Sequence, residues 1–113
     1  MEFVVIAKDY ADEECLNRRM QVRPDHMTLI KRLNEQGHIL VGGAMVEEVS
    51  QTMNGSVLVV SFPDRDALQT IWLDEEPYLK GQVWESVEVI PYKVASLGHA
   101  LFEQIHTRLT APV

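Results

Sequence analysis

The order in which the apolar periodicity changes along the chain constrains its fold more than any other feature. Glu2–Lys8 (EFVVIAK) is short, apolar and rich in β-branched residues, which predicts a strand buried on both faces. Pro24 suits the first turn of a helix, where its missing N–H costs nothing. From there His26, Leu29, Ile30 and Leu33 fall at i, i+3, i+4 and i+7, the apolar stripe of an amphipathic helix that Gly37 is placed to end. Asp9–Gln21, between these two elements, is polar and reads equally as a loop or an irregular helical turn. His38–Val46 returns to strand character, and Gly42-Gly43 inside it marks a bulge or a close approach. Asn54-Gly55 is a strong turn dipeptide, so Ser56–Phe62 makes a hairpin with the preceding strand. Pro63-Asp64 opens a second helix with the stripe Ala67, Leu68, Ile71 and Trp72. Val83–Tyr92 sets Val83, Val87 and Val89 against Trp84, Ser86 and Glu88, as a half-buried strand does. The result is β-α-β-β-α-β, a ferredoxin-like α+β unit with a four-stranded antiparallel sheet.

This unit is complete at Lys93, which makes 1–93 one domain and 94–113 an extension. Leu97, Leu101, Ile105 and Leu109 recur every four residues there and predict a C-terminal helix. Its apolar stripe needs a surface, and docking across a subunit boundary is the expectation. A sheet with both helices on one face also leaves its other face bare, and a soluble monomer rarely exposes so large an apolar patch. A second copy packed sheet to sheet covers it, which predicts a homodimer closed like a barrel.

Composition then narrows the function. With 46% hydrophobic and 24% charged residues the chain is an ordinary globular domain, not a disordered or coiled-coil one. No apolar run approaches the roughly 20 residues of a membrane span, and the first residues lack the basic start of a leader, so the expectation is a cytoplasmic protein without membrane contact. A formal charge of −7 argues against nucleic acid as partner. The basic cluster Arg18, Arg19 and Arg23 is enough for one small anion, or for a salt-bridged helix start. Cys15 is the sole cysteine, so no internal disulfide forms, and no histidine lies near it in sequence to make it a nucleophile. His99 and His106 are two helical turns apart, too far for one zinc ion, and no metal-binding spacing is present, so neither metal nor cofactor is expected.

Two segments are suited to acid–base chemistry. His26 lies near a helix start on the core-facing stripe; the helix dipole disfavours the imidazolium there, so a neutral, base-competent ring is one reading. A core-edge histidine bonded to a backbone carbonyl is the other. Asp74-Glu75-Glu76-Pro77-Tyr78 puts three carboxylates at a helix end, against the dipole. One of them can orient an imidazole, as the acidic member of a catalytic dyad does.

Six segments in order resemble the YciI (YCII-related) family: Phe3–Lys8, Arg19–His26, Leu40–Gly43, Gly55–Val59, Glu76–Gly81 and Trp84–Lys93. The resemblance covers Phe3 to Lys93 and implies a ferredoxin-like subunit that dimerises into an α+β barrel. It also implies a histidine–aspartate pair, with the histidine at His26 and the acidic position at Glu76, one methylene longer than the family's aspartate. Asp74, two residues earlier, is an alternative carboxylate. One enzyme in the family removes chloride from a chlorinated hydroxyhydroquinone, and the fold is similar to that of muconolactone isomerases. The expectation is therefore a cofactor-independent acid–base enzyme of lyase, isomerase or dehydrochlorinase type, acting on a small cyclic or enolic substrate. His26 would move the proton, Glu76 would orient it, and Arg19, Arg23 and Ser56 would bind the substrate. The alternative is a non-catalytic dimer that binds or senses a small ligand.

Overall fold

The structure is a computed structural model and describes residues 1–95. The predicted C-terminal helix lies outside the described residues. Four strands, β1 (Glu2–Asp9), β2 (Ile39–Val46), β3 (Met53–Ser61) and β4 (Trp84–Tyr92), form one antiparallel sheet in the order β2-β3-β1-β4. The helix α1 (Cys15–Glu35) connects β1 to β2, and a helical segment connects β3 to β4. This is the predicted β-α-β-β-α-β order.

Both connections cross the same face, so β1 is not buried on both sides as its composition suggests. Phe3, Val5 and Ala7 are buried with Leu58 and Val60 of β3, beneath Leu29 and Leu33 of α1 and Leu68, Trp72 and Tyr78 of the second connection. Val4, Ile6, Val57 and Val59 point the other way and are half-exposed. The β-branched residues on that side satisfy strand propensity without a helix above them.

The helix α1 starts well before Pro24, at Cys15. Asp12 begins it: its backbone carbonyl accepts from Cys15 N at 3.2 Å, and its carboxylate accepts from Glu14 N and from Arg18. Pro24 therefore sits in the helix interior and not in its first turn. The carbonyl it leaves unbonded belongs to Met20, and both residues are exposed, where water serves the orphan group. The extra turns matter for the site, because they carry Arg19.

The hairpin turn lies earlier than Asn54-Gly55, which are part of β3. Glu47 N and O bond Thr52 O and Gln51 N, and the Glu47 carboxylate accepts from Ser50 N at 2.6 Å. The Ser50 N–H bond, first among the donors to that carboxyl, holds it below its ordinary range. Gln51 takes the left-handed conformation, φ 60°. Gly55 serves a close approach instead of a turn: a Cβ there would lie 2.6 Å from the Ala7 carbonyl oxygen.

The second connection is a chain of short helical pieces, not one regular helix. Asp64 caps α2 (Arg65–Ala67), its carboxylate accepting from Ala67 N at 2.8 Å. A π turn (Leu68–Trp72) and a 3₁₀ turn (Leu73–Glu75) follow, and then α3 (Pro77–Lys80). The wider π turn brings Leu68, Trp72 and Leu73 onto the core and leaves Ile71 exposed, which breaks the predicted stripe.

A bulge closes the sheet end that matters most. Asp9 pairs with Trp84 and Lys8 with Ser86, so Glu85 is the extra residue. A one-residue insertion reverses which face a strand residue takes. Trp84 therefore points into the core and does not join Ser86 and Glu88 on the outer side.

Candidate functional site

Arg19 and His26 are seven residues apart on α1, two turns, so both face the sheet and both are buried. His26 meets Glu76 from the second connection: Nδ1 lies 2.5 Å from Glu76 Oε1. Glu76 has no exposed surface at all. Its Oε1 also accepts from Tyr78 N at 3.1 Å, which makes Glu76 the cap of α3 with Pro77 at the first helical position. Its Oε2 accepts from Trp72 Nε1 at 2.8 Å, a contact the π turn sets up. Three donors thus converge on one buried carboxylate. Because an ionised Glu76 only accepts, this network assigns a proton to Nδ1, and in the neutral ring Nε2 then carries the lone pair. Nε2 has no partner among the described residues, and His26 lines a cavity. Its ring stacks on Tyr78, centroids 3.9 Å apart.

The second cluster is built on the bulged sheet end. Asp9 of β1, Ser56 of β3 and Trp84 of β4 all point inward there. Arg19 Nη1 donates to both Asp9 oxygens, at 2.8 and 2.9 Å, and Nη2 donates to Ser56 Oγ at 2.9 Å. Ser56 Oγ also accepts from Trp84 Nε1 at 3.2 Å. The Arg19 guanidinium lies 4.7 Å from the centre of the Tyr78 ring. Tyr78 therefore touches both clusters. Burial pushes its phenol above the usual value, and the nearby Arg19 and Arg23 guanidiniums oppose the shift.

The cavity, about 300 Å³, lies between α1 and the β2–β3 hairpin. Its strand wall is low because β2 puts Gly42 and Ala44, two of the smallest residues, on the side that faces α1. Gly42 and Ala44 pair with Leu58 and Ser56, so both are on the helix side of the sheet. Arg19, Arg23, His26, Ser56 and Tyr78 all contribute to its wall.

Among the expected site residues, His26 and Glu76 are brought together. Asp74 is not part of this pair: it is exposed, and its carboxylate accepts from Gln69 Nε2 at 2.7 Å. Glu75 likewise stays outside, 3.4 Å from Lys80, so only Glu76 of the acidic run turns inward. Arg19 is committed to Asp9 and Ser56 and is not a free anion ligand, whereas Arg23 is exposed at the cavity rim. Ser56 is a buried junction of the network at the cavity wall. Cys15 is buried with its thiol against the Val83 carbonyl at 3.4 Å. Burial and the Asp9 charge push that thiol up, away from the reactive thiolate. His38 Nδ1 bonds the Ser61 carbonyl at 2.9 Å and stacks on Phe62. Among the described residues no three His, Cys, Asp or Glu side chains gather as metal ligands. Asp9, Trp72 and Trp84 escape the sequence reading. A signal existed for Trp72, four residues before Glu76 on one helical face; Trp84 depends on a bulge that leaves no composition signature.

The family model of the YCII-related domain matches residues 1–93. Protein YciI of Escherichia coli O6:H1 (strain CFT073) is 34% identical over 98 residues, covering 82% of this chain and 97% of that protein. An uncharacterized protein of Haemophilus influenzae is 28% identical over the same length. Among solved structures, a 5-chloro-2-hydroxyhydroquinone dehydrochlorinase from Burkholderia phenoliruptrix, in complex with 2,5-dihydroxybenzoquinone, superposes with a TM-score of 0.72 at 21% identity. It covers 86% of this chain and 98% of its own. At that identity the likeness establishes the shared α+β fold. No helix among the described residues is long and apolar enough to cross a membrane.

Proposed function

This chain belongs to the YCII-related family, and on that premise we propose that it is an acid–base enzyme in which His26 moves a proton on a small cyclic or enolic substrate. The observation that carries the reading is the buried His26–Glu76 contact beside a cavity. A general base needs a lone pair aimed at substrate and a partner that stabilises the cation it becomes. His26 Nε2 supplies the first. Glu76 supplies the second, and Trp72 Nε1 and Tyr78 N hold it in place.

In an elimination, Nε2 takes a proton from the substrate and the electrons of the broken bond form the new double bond. The leaving group departs with its own electron pair, and water removes the proton from the imidazolium. In an isomerisation the same Nε2–H is returned to a neighbouring carbon. Both sequences need only a base and a fixed counter-charge, and this chain's own side chains provide them. The reaction of the similar Burkholderia enzyme, a dehydrochlorination, belongs to the first type. The half-exposed outer sheet face with Val4, Ile6, Val57 and Val59 supports a homodimer packed through it. A gel-filtration mass of one chain at micromolar concentration would exclude that assembly.

The test is a screen of small lactones, enols and halogenated phenols against wild type and His26→Ala. Positioned base catalysis contributes roughly 10²–10⁴-fold, so His26→Ala is expected to lose about that much while its thermal melt stays cooperative. A turned-over substrate whose rate is the same in His26→Ala overturns the reading.

A further inference from the structure

The charge of the cavity is opposite to that of the protein. The chain carries −7, yet the residues lining the cavity include the cations Arg19, Arg23 and Lys31 and no carboxylate. Asp9 and Glu76, the acids of the buried network, are bonded to Arg19 and His26 and do not line it. Asp9 balances Arg19, so the uncompensated charge comes from Arg23 and Lys31, neither of which makes an ion pair among the described residues.

Ser56 adds a directed donor. A hydroxyl oxygen has two lone pairs and one proton. Arg19 Nη2 and Trp84 Nε1 already occupy both lone pairs, which leaves one tetrahedral direction for the proton. No described residue accepts it, and Ser56 lines the cavity. The Tyr78 hydroxyl is likewise without a partner among the described residues and lines the same space. Moving along β3 from Ser56 to Leu58, the sheet wall changes from polar to apolar, with Leu58, Ile30 and Ile39 at the far end beside the exposed Lys31 and Asn34. A volume of about 300 Å³ is at the lower limit of small-molecule sites and admits a single ring.

We infer that the cavity takes a small organic anion with a compact apolar body, such as a one-ring carboxylate or enolate. Its negative oxygen accepts from the Ser56 hydroxyl beside Arg23, and its body lies against Ile30, Ile39 and Leu58. The inference names the substrate class for the acid–base reading and rests on the same cavity serving as the substrate site.

The experiment is a titration of the full chain with benzoate and with its neutral isostere benzamide, followed by backbone amide NMR shifts at low salt. Benzoate is expected to bind at least tenfold more tightly than benzamide, with shifts at residues 42–44 and 56–58. Equal affinities, or no benzoate binding, overturn the inference. Ser56→Ala strands two buried donors and can unfold the chain, so Arg23→Gln at the exposed rim carries the variant arm. It is expected to weaken benzoate several-fold and leave benzamide unchanged; an unchanged benzoate affinity overturns the inference. No proton moves in this titration. Benzoate selectivity joined to activity that survives His26→Ala removes the acid–base reading alone. Turnover dependent on His26 without benzoate selectivity removes the anion class alone.

Discussion

Replacing Glu76 by glutamine keeps the shape of the side chain and removes its charge, which isolates what the carboxylate contributes. Three donors reach it: His26 Nδ1 and Tyr78 N at Oε1, and Trp72 Nε1 at Oε2. An amide offers one oxygen, and its NH₂ must face an N–H on the other side whichever way it is flipped. Each buried donor left without an acceptor costs about 1–3 kcal/mol, so Glu76→Gln is expected to lose about that much. Glu76→Leu strands all three donors and is expected to lose about three times more, a large part of the roughly 5–15 kcal/mol that holds a domain folded. Urea unfolding at neutral pH with unchanged m-values measures both. The functional loss has its own magnitude. At an effective dielectric of about 20, charges about 4 Å apart attract by about 4 kcal/mol, which is close to 10³-fold in a step that forms the imidazolium. Long-range proton–nitrogen NMR correlations report the tautomer directly. Wild type is expected to show a protonated Nδ1 and a bare Nε2, and Glu76→Gln a mixture. A Glu76→Gln protein that unfolds within 0.5 kcal/mol of wild type and keeps a single tautomer would refute the argument.

Three further outcomes follow from other parts of the fold. Arg18 holds the Asp12 carboxyl down to about 2, below its ordinary 3.8. The stability it adds is full above that ordinary value and is lost as pH falls towards 2, so Arg18→Gln is expected to flatten this part of an acid titration followed by circular dichroism. Gly55→Ala would force a methyl against the Ala7 carbonyl and the Met45 side chain, with an expected loss of at least about 1–3 kcal/mol in urea unfolding; a neutral result would mean that β1 and β3 separate freely. Cys15, buried and with a raised thiol, is expected to resist iodoacetamide at pH 8 in the native state and react promptly in urea, as mass spectrometry reads it.

The order of strands and helical connections along the chain was legible because it follows from periodicity, and periodicity survives small errors of boundary. The pairing of His26 with Glu76 was half legible. The residue types were visible, but three carboxylates competed, and the choice depends on the π turn that points Trp72 at Glu76 and leaves Asp74 in solvent. Pro24 misplaced the start of α1, because a proline on an exposed helix surface costs less than one whose lost bond is buried. That error hid the role of Arg19, which reads as part of a basic cluster until the helix extends beneath it. Asn54-Gly55 illustrates the same limit. Its turn propensity gave way to the need for a residue without a side chain between β1 and β2, a tertiary demand that no local pattern carries.

The cavity also has two unlike walls. The chemistry is fixed on α1, β3 and α3, where Arg19, Ser56, His26 and Glu76 are each tied to another side chain and a change at one strands its partners. The facing wall, β2, is the edge strand of the sheet and presents backbone at Gly42 and Gly43. A methyl group at Gly42 would press on the buried Leu58 side chain at 3.0 Å, whereas one at Gly43, on the outer side with Val57, would meet nothing within 4 Å. The depth of the binding space is therefore set by what β2 places at Gly42 and Ala44, outside the hydrogen-bonded network. A scaffold divided in this way can accept ligands of new outline through substitutions on one strand while its proton-handling side stays as it is.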